Sequence, residues 1–405
     1  MFDSQISRRR FLQSTGLLAG GLAASPAWSL APLDHTEKGY RRLVVIELHG
    51  GNDGLNFMAP TGDDIYHRVR PYLSISAKGG HKLDDHYRWH PSLTNLARRF
   101  AEGGCCAIQG VGTRPRNLSH FRSRDVWCMG GHTIPDKELS WLGRLADQQW
   151  GLKRSPVSLL TVGHNLSPRA MQSELGRSFC YGQDFKGTAA NAPSLQGLKP
   201  KASDLLKRLN HSTSIARQAS QALASIPTLD TSVDWPEQGL GMDLSLVAAA
   251  IDHGLPTRAF WVTQGGYDTH SYQGEDHTLL MQELDMALHA FVTELENRDL
   301  LKDTLIMTMS EFGRRVAENG VRKGAGTDHG VASMQLLLGG DVKGGLMGPH
   351  PDLANLDEDG NFQHTFDFKQ INSSVASHWF GAKTENLFDG PVQDLALFSK
   401  GAAGK

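Results

Sequence analysis

An apolar run that breaks abruptly into Gly, Asp and His constrains this chain more than any other feature. Ala259-Phe260-Trp261-Val262, bounded by Pro256 and Gly265, is short, aromatic and β-branched, the composition of a strand covered on both faces as in parallel sheets. It runs straight into Gly265-Gly266-Tyr267-Asp268-Thr269-His270. Ligands of open α/β sheets bind beyond the carboxyl ends of the strands, so Asp268 and His270 stand where a site is expected. Residues two apart in extended backbone project to the same side, which lets a carboxylate and an imidazole address one point. A turn aspartate beside a surface histidine is the plainer explanation of the motif taken alone.

The same design recurs along the chain. Arg42–Leu48, RLVVIEL, ends in His49-Gly50-Gly51-Asn52-Asp53-Gly54, and Thr304–Met309 ends in Ser310-Glu311-Phe312-Gly313-Arg314. Gly326-Thr327-Asp328-His329-Gly330 precedes a further strand over Met334–Leu338. Cys105–Val111 follows a helix predicted within Pro91–Glu102 and opens into a loop that carries Arg114, Ser119 and His120 before another helix through Trp127. Pro156–Val162 adds a strand, and helical spacing marks Leu205–Ile226, Leu244–Ile251, His277–Leu295 and Phe366–Phe380. Strands alternating with helices predict an α/β fold, a three-layer α/β/α sandwich with a largely parallel central sheet. The reading is one domain over residues 40–400, with a Ser-, Gly-, Asn- and Gln-rich excursion near 163–201 lying over the site.

Several classes of function fall away. A net charge of -2 supplies no basic stripe for nucleic acid. The loop around Asp53 matches neither G-x-G-x-x-G nor the P-loop. His49-Gly50-Gly51 is similar to a lipase oxyanion loop, but no G-x-S-x-G elbow accompanies it, which disfavours a serine esterase. The four cysteines show no C-x-x-C or zinc spacing, and Cys105 and Cys106 read as small core residues of a strand. At the N-terminus, Arg8-Arg9-Arg10-Phe11-Leu12 ahead of the weakly apolar Thr15–Ala27 resembles a cleaved twin-arginine export signal over residues 1–31. That resemblance implies folding before export by the twin-arginine machinery to a periplasmic or extracellular location, and no other segment reads as a membrane span.

Asp53, Asp268, His270, Glu311, Asp328 and His329 thus all follow strands or sit in Gly-rich loops. Asp, Glu and His donors without Cys suit one or two divalent ions, zinc, manganese or magnesium. Such ions can activate a hydroxyl or water and stabilise the leaving oxygen of a phosphoryl or sulfuryl ester. Ser119, at a helix N-terminus, is a candidate N-cap or nucleophile, with His120 as ligand or base. Arg114 and Arg314 are candidates to steady an oxyanion.

The motifs HGGNDGLN, SHF, GGYDTH, SEFGRR, GTDHG and TFDFKQ stand in the order of the exported bacterial family catalogued as domain of unknown function 1501, and the resemblance spans nearly all of the chain after the signal. That family resembles a branch of the alkaline phosphatase and sulfatase superfamily, which implies an alkaline-phosphatase-like sandwich with metals at the sheet's carboxyl edge. On this resemblance Asp53 is the first-strand metal carboxylate, Asp268 and His270 the mid-chain ligands and His329 the late one. Glu311 stands where Asp-His is common, Asp-x-His replaces Asp-x3-His, and no sulfatase C-x-P-S-R motif is present. The expectation is an exported metal-dependent hydrolase acting on an anionic ester or modified glycan. The alternative is a non-catalytic, metal-stabilised envelope binding or assembly protein of the same fold.

Overall fold

In the computed structural model of the protein, residues 40–132, 139–150, 157–163, 169–174, 178–181 and 204–399 are described. The stretch expected to be an export signal and nearly all of the polar excursion lie outside these residues. The main sheet contains β1 (Arg42–Leu48), β2 (Cys105–Gly112), β3 (Leu159–Val162), β4 (Ser178–Tyr181), β5 (Ala259–Gln264), β6 (Thr304–Met309), β7 (Ser333–Gly339), β8 (Gly345–Met347) and β9 (Phe366–Asp367). Its order is β8-β2-β7-β6-β1-β5-β3-β4, with β9 paired to β2. All neighbours run parallel except β7, which is antiparallel to both β2 and β6. The sheet is therefore largely parallel, with one reversed strand.

Strand alternation divides the apolar side chains between two cores. Val44, Ile46 and Leu48 of β1 join Phe260, Val262 and Ile306 on one face, against α5 (Gly239–Asp252) and α6 (Gln273–Asn297). Leu43 and Val45 join Ala259, Trp261 and Met307 on the other, against α2 (His120–Met129), α3 (Trp141–Gln149) and α7 (Phe368–Ser374). Two helical layers over one sheet make the three-layer sandwich that the alternation predicts. Further helices include α1 (Thr94–Ala101), which also packs on the α6 side, α4 (Asp204–Ala224), and the short helical turns Gly54–Phe57 and Asp64–Val69.

Local chemistry explains where the elements start. The helix predicted from Phe366 begins at Phe368, because Asp367 caps it through a reciprocal box with Gln370. Gly344 leads into β8, which starts at Gly345 and pairs with β2. α3 has no counterpart in the sequence reading, although Ser140 accepts from the Gly143 amide at its start. Among the described residues no helix is long and apolar enough to cross a membrane.

β6, β1 and β5 are adjacent and parallel, so their carboxyl ends open side by side. Gly50, at φ +124°, lets the loop after β1 touch the loop after β5: a Cβ there would meet the Asp268 amide nitrogen at 2.4 Å. Gly326 does the same for the later loop, where a Cβ would meet His270 carbonyl carbon at 2.2 Å.

Candidate metal centre

Three histidines from three separate segments meet one aspartate at these strand ends. His120 is the first residue of α2; its Nδ1 lies 2.8 Å from Glu311 Oε1 and its Nε2 3.4 Å from Asp268 Oδ2. His329, paired across a two-residue ribbon with Arg314, donates from Nδ1 to the Leu118 carbonyl at 2.9 Å and places Nε2 2.9 Å from Asp268 Oδ1. His270 turns Nδ1 toward Asp328 Oδ1 at 3.3 Å and Nε2 toward Asp268 Oδ1 at 3.0 Å. In each ring Nδ1 faces an oxygen that can only accept while Nε2 faces the Asp268 carboxylate; with the hydrogen on Nδ1, as a cation held between the rings requires, Nε2 presents a lone pair. His270 Nε2 and His329 Nε2 are 3.0 Å apart. Two bare imidazole nitrogens at that distance repel unless a cation or a proton lies between them.

Ligand atoms of His120, Asp268 and His329 all lie within 4.8 Å of one another. Imidazole nitrogens with one carboxylate fit zinc and the harder transition ions, and they are already oriented by acceptors behind them. Asp268 and His270 are 48% and 44% exposed, so the group opens to solvent. Burial raises the Asp268 carboxyl, but the hydrogen bonds to His329 and Arg314 outweigh it and hold it below the ordinary carboxylate range. The Glu311 hydrogen bond raises His120 against its desolvation, whereas desolvation prevails at His329 and lowers it.

Behind these residues lies a buried carboxylate layer made of Glu311, a candidate from the sequence, and Glu47, which the sequence reading did not single out. Glu311 Oε1 accepts from the Gly50 amide at 2.9 Å as well as facing His120. Glu47 accepts from Arg124 Nη2 (2.7 Å), Trp261 Nε1 (3.0 Å) and Thr263 Oγ1 (2.9 Å). Burial raises Glu47, yet the His49 hydrogen bond and the Arg124 charge bring it down to about 2. His49 lies 3.6 Å from Glu47 and 3.4 Å from Glu311, and its bond to Glu47 raises it. His120 and Arg124 share one face of α2. Glu311 and Glu47 thereby dock that helix on the strand ends. The only hints were a glutamate following the apolar run Leu43–Ile46 and a His/Arg pair at helical spacing, neither of which shows that the two meet.

The other candidate site residues take the following places in the structure. Asp53 does not reach the centre: its carboxylate is 1% exposed, 2.6 Å from Arg70 Nη1, and accepts from Gln273 Nε2 and the Leu55 amide. It is held by a fixed cation and a helix turn. Glu311 acts through His120, and Asp328 acts through His270 while accepting from Asn319 Nδ2 at 3.1 Å. Arg314 is buried and donates from Nε to the Gly51 carbonyl, from Nη1 to that of Thr327, and from Nη2 to those of Gly50 and Tyr267 and to Asp268 Oδ1. It stitches loops and orients Asp268 instead of facing an oxyanion. Arg114 is exposed in the loop before α2 and its charge acts on His364. Ser119 occupies the N-cap position of α2, exposed and with no side-chain capping bond.

Fold and site together define an α/β protein with a histidine–carboxylate centre at the carboxyl edge of its sheet. Residues 250–374 match the family described as "Protein of unknown function (DUF1501)", which bears out the resemblance carried by the motifs. Solved structures similar to the chain include a sulfatase from Pseudoalteromonas sp. (12% identity, 90% of this chain and 73% of that one, TM-score 0.39). A phosphonate monoester hydrolase from Silicibacter pomeroyi matches at 10% identity over 88% and 76% of the two chains, TM-score 0.39. An alkaline phosphatase from the Antarctic bacterium TAB5 matches at 11% identity over 74% and 92%, TM-score 0.33. A comparison with curated protein sequences finds no match.

Proposed function

We propose that this chain is an exported metal-dependent hydrolase of phosphate or sulfate esters, with the ion held by His120, Asp268 and His329 and with His270 beside them. The observation that carries the reading is the convergence of three imidazole Nε2 atoms on one carboxylate, each ring oriented from behind by an oxygen acceptor. A divalent ion bound there supplies a Lewis acid for an ester oxygen and lowers the pKa of a bound water. Glu311, Asp328 and the Leu118 carbonyl fix the three rings, and Arg314 fixes the carboxylate from the buried side. Ser119, exposed immediately before His120, is the hydroxyl proposed to attack, and the substrate is an anionic ester or modified glycan reaching the solvent-open face. Twin-arginine export places the activity in the periplasm or outside the cell, in a single domain over residues 40–400.

Elemental mass spectrometry of the purified mature protein, beside Asp268→Asn, tests the centre. Near-stoichiometric zinc or manganese that disappears in the variant supports it. Hydrolysis of 4-nitrophenyl phosphate or 4-nitrophenyl sulfate tests the chemistry, and activity retained in an Asp268→Asn, His329→Ala double variant sinks it. Tightly held metal without turnover on esters or sulfated glycans points instead to the metal-stabilised binding or assembly protein.

A further inference from the structure

Tyr272 stands where local chemistry disfavours a tyrosine twice over. It holds the N-cap position of α6 without a side-chain capping bond, and its backbone is left-handed, φ 53° and ψ 23°. Helix starts favour Asn, Asp, Ser or Thr, and the left-handed region admits Gly and Asn far more readily than a bulky aromatic. Among the described non-glycine residues only Asp299 and Arg322 share a positive φ.

The conformation is imposed from both sides. Ahead of Tyr272, Gly326 lies so close that a Cβ there would meet the His270 carbonyl carbon at 2.2 Å and the Ser271 amide nitrogen at 2.5 Å. Behind it, the Gln273 amide donates to the Ala325 carbonyl at 3.0 Å, and the Gln273 side chain is fixed between Asp53 and Thr327. A strained residue over-determined by its surroundings is the form that strain takes at functional sites.

Packing does not hold the ring in place. Tyr272 is 58% exposed, and among the described residues its ring meets no other ring or cation and its hydroxyl makes no hydrogen bond. What the ring does stand beside is the metal centre. His270 is two residues earlier, so the two Cα atoms are at most about 7 Å apart. The imidazoles run in the order His270, His329, His120, with centroids 4.6 and 4.5 Å apart between neighbours, and Tyr272 adjoins the His270 end of that row. The centre offers charge to an anionic group, and an open aromatic face next to it offers a stacking surface to whatever that group is attached to.

We infer that Tyr272 is a specificity residue of the centre: the ester it selects carries, next to its anionic group, a ring with an apolar face, aryl or saturated as in a sugar, and that ring stacks on Tyr272. The inference rests on the hydrolase reading and narrows its substrate to ring-bearing esters.

Phenylphosphonate, cyclohexylphosphonate and methylphosphonate carry one anionic group on a carbon–phosphorus bond that an ester hydrolase leaves intact, and they differ in the ring. Titrated into the metal-loaded full-length protein in a calorimeter, a ring compound should bind about tenfold more tightly than methylphosphonate. The phenyl compound leads if the natural ring is aryl, the cyclohexyl compound if it is sugar-like. Tyr272→Asn should lose that advantage and keep the affinity for methylphosphonate, whereas Tyr272→Phe should keep both. Metal-free Tyr272→Asn should melt at the parent temperature or above it, because Asn enters the left-handed region more readily than Tyr. A ring advantage that survives in Tyr272→Asn, a lower melting temperature in that variant, or equal affinities for the three phosphonates would each overturn the inference. Equal affinities beside turnover of 4-nitrophenyl phosphate or sulfate leave the hydrolase reading standing, whereas a parent that binds no phosphonate and turns over neither ester overturns both.

Discussion

Asp53 and Asp268 both sit in Gly-rich loops beyond adjacent parallel strands, and the structure gives them opposite lives. Asp268 is half exposed and ringed on its outer side by three imidazoles. Asp53 is buried against Arg70, a guanidinium that cannot give up its proton. An imidazole offers a lone pair that can share a cation with a carboxylate, whereas an arginine already is the cation. What a loop carboxylate does is therefore decided by its neighbours' donor chemistry, not by its own type or its place after a strand.

The largest expected effect attacks the interior side of this contrast. Arg70→Met leaves Asp53 buried without its counter-ion and should destabilise the protein by about 3–5 kcal/mol in denaturant unfolding. Metal bound per folded molecule should not change; metal loss without destabilisation would break the comparison.

Acid should expose the same interior next. His277 and His90 have folded pKa values of about 4 and about 3 against an ordinary 6.5. Below pH 6.5 the unfolded chain takes up protons that the folded chain refuses, so their stabilisation is complete above 6.5 and is lost as pH falls toward 4. For His277 the loss is roughly 2–3 kcal/mol. Urea unfolding at successive pH values should show this slope flattened in His277→Phe, and an unchanged slope would refute the assignment.

On the outer side, Glu311→Gln removes the carboxylate behind His120 and should weaken metal binding by about 10- to 100-fold, read by competition with a chelator. The smallest effect belongs to Asp268→Asn in metal-free protein. Its ion pairs are half exposed, so a stability change below about 1 kcal/mol is expected. A larger loss would show Asp268 to be a structural residue like Asp53.

β1 and β6 were legible as apolar, β-branched runs and match their expected bounds to the residue, whereas β4, within the stretch read as a polar excursion, and the short β8 and β9 were not read as strands. α3 escaped the reading although Trp141, Leu142, Leu145 and Ala146 recur at helical spacing, because it is short, nine residues against the twenty-five of α6. Within the centre, Asp268, His270 and His329 could be read from their loops, and His120 from its helix start. Glu47 and Arg124 could not, because one lies within a buried strand and the other is an ordinary helical arginine until the two meet. Asp53 looked like a ligand for the converse reason: its loop is indistinguishable in sequence from one that faces solvent.

The sequence by itself determined the alternation of strands and helices, the Gly-rich strand ends and the residue types that can hold a metal, because these depend on periodicity and local backbone freedom. Only the tertiary structure decided which carboxylates meet imidazoles and which meets arginine. Arg70 lies seventeen residues from Asp53 in the chain while His120 and Glu311 are separated by 191. Such pairings arise from the order of strands in the sheet and the docking of α2 across it. Side-chain electrostatics act over a few ångströms of space, and distance along the chain does not report them.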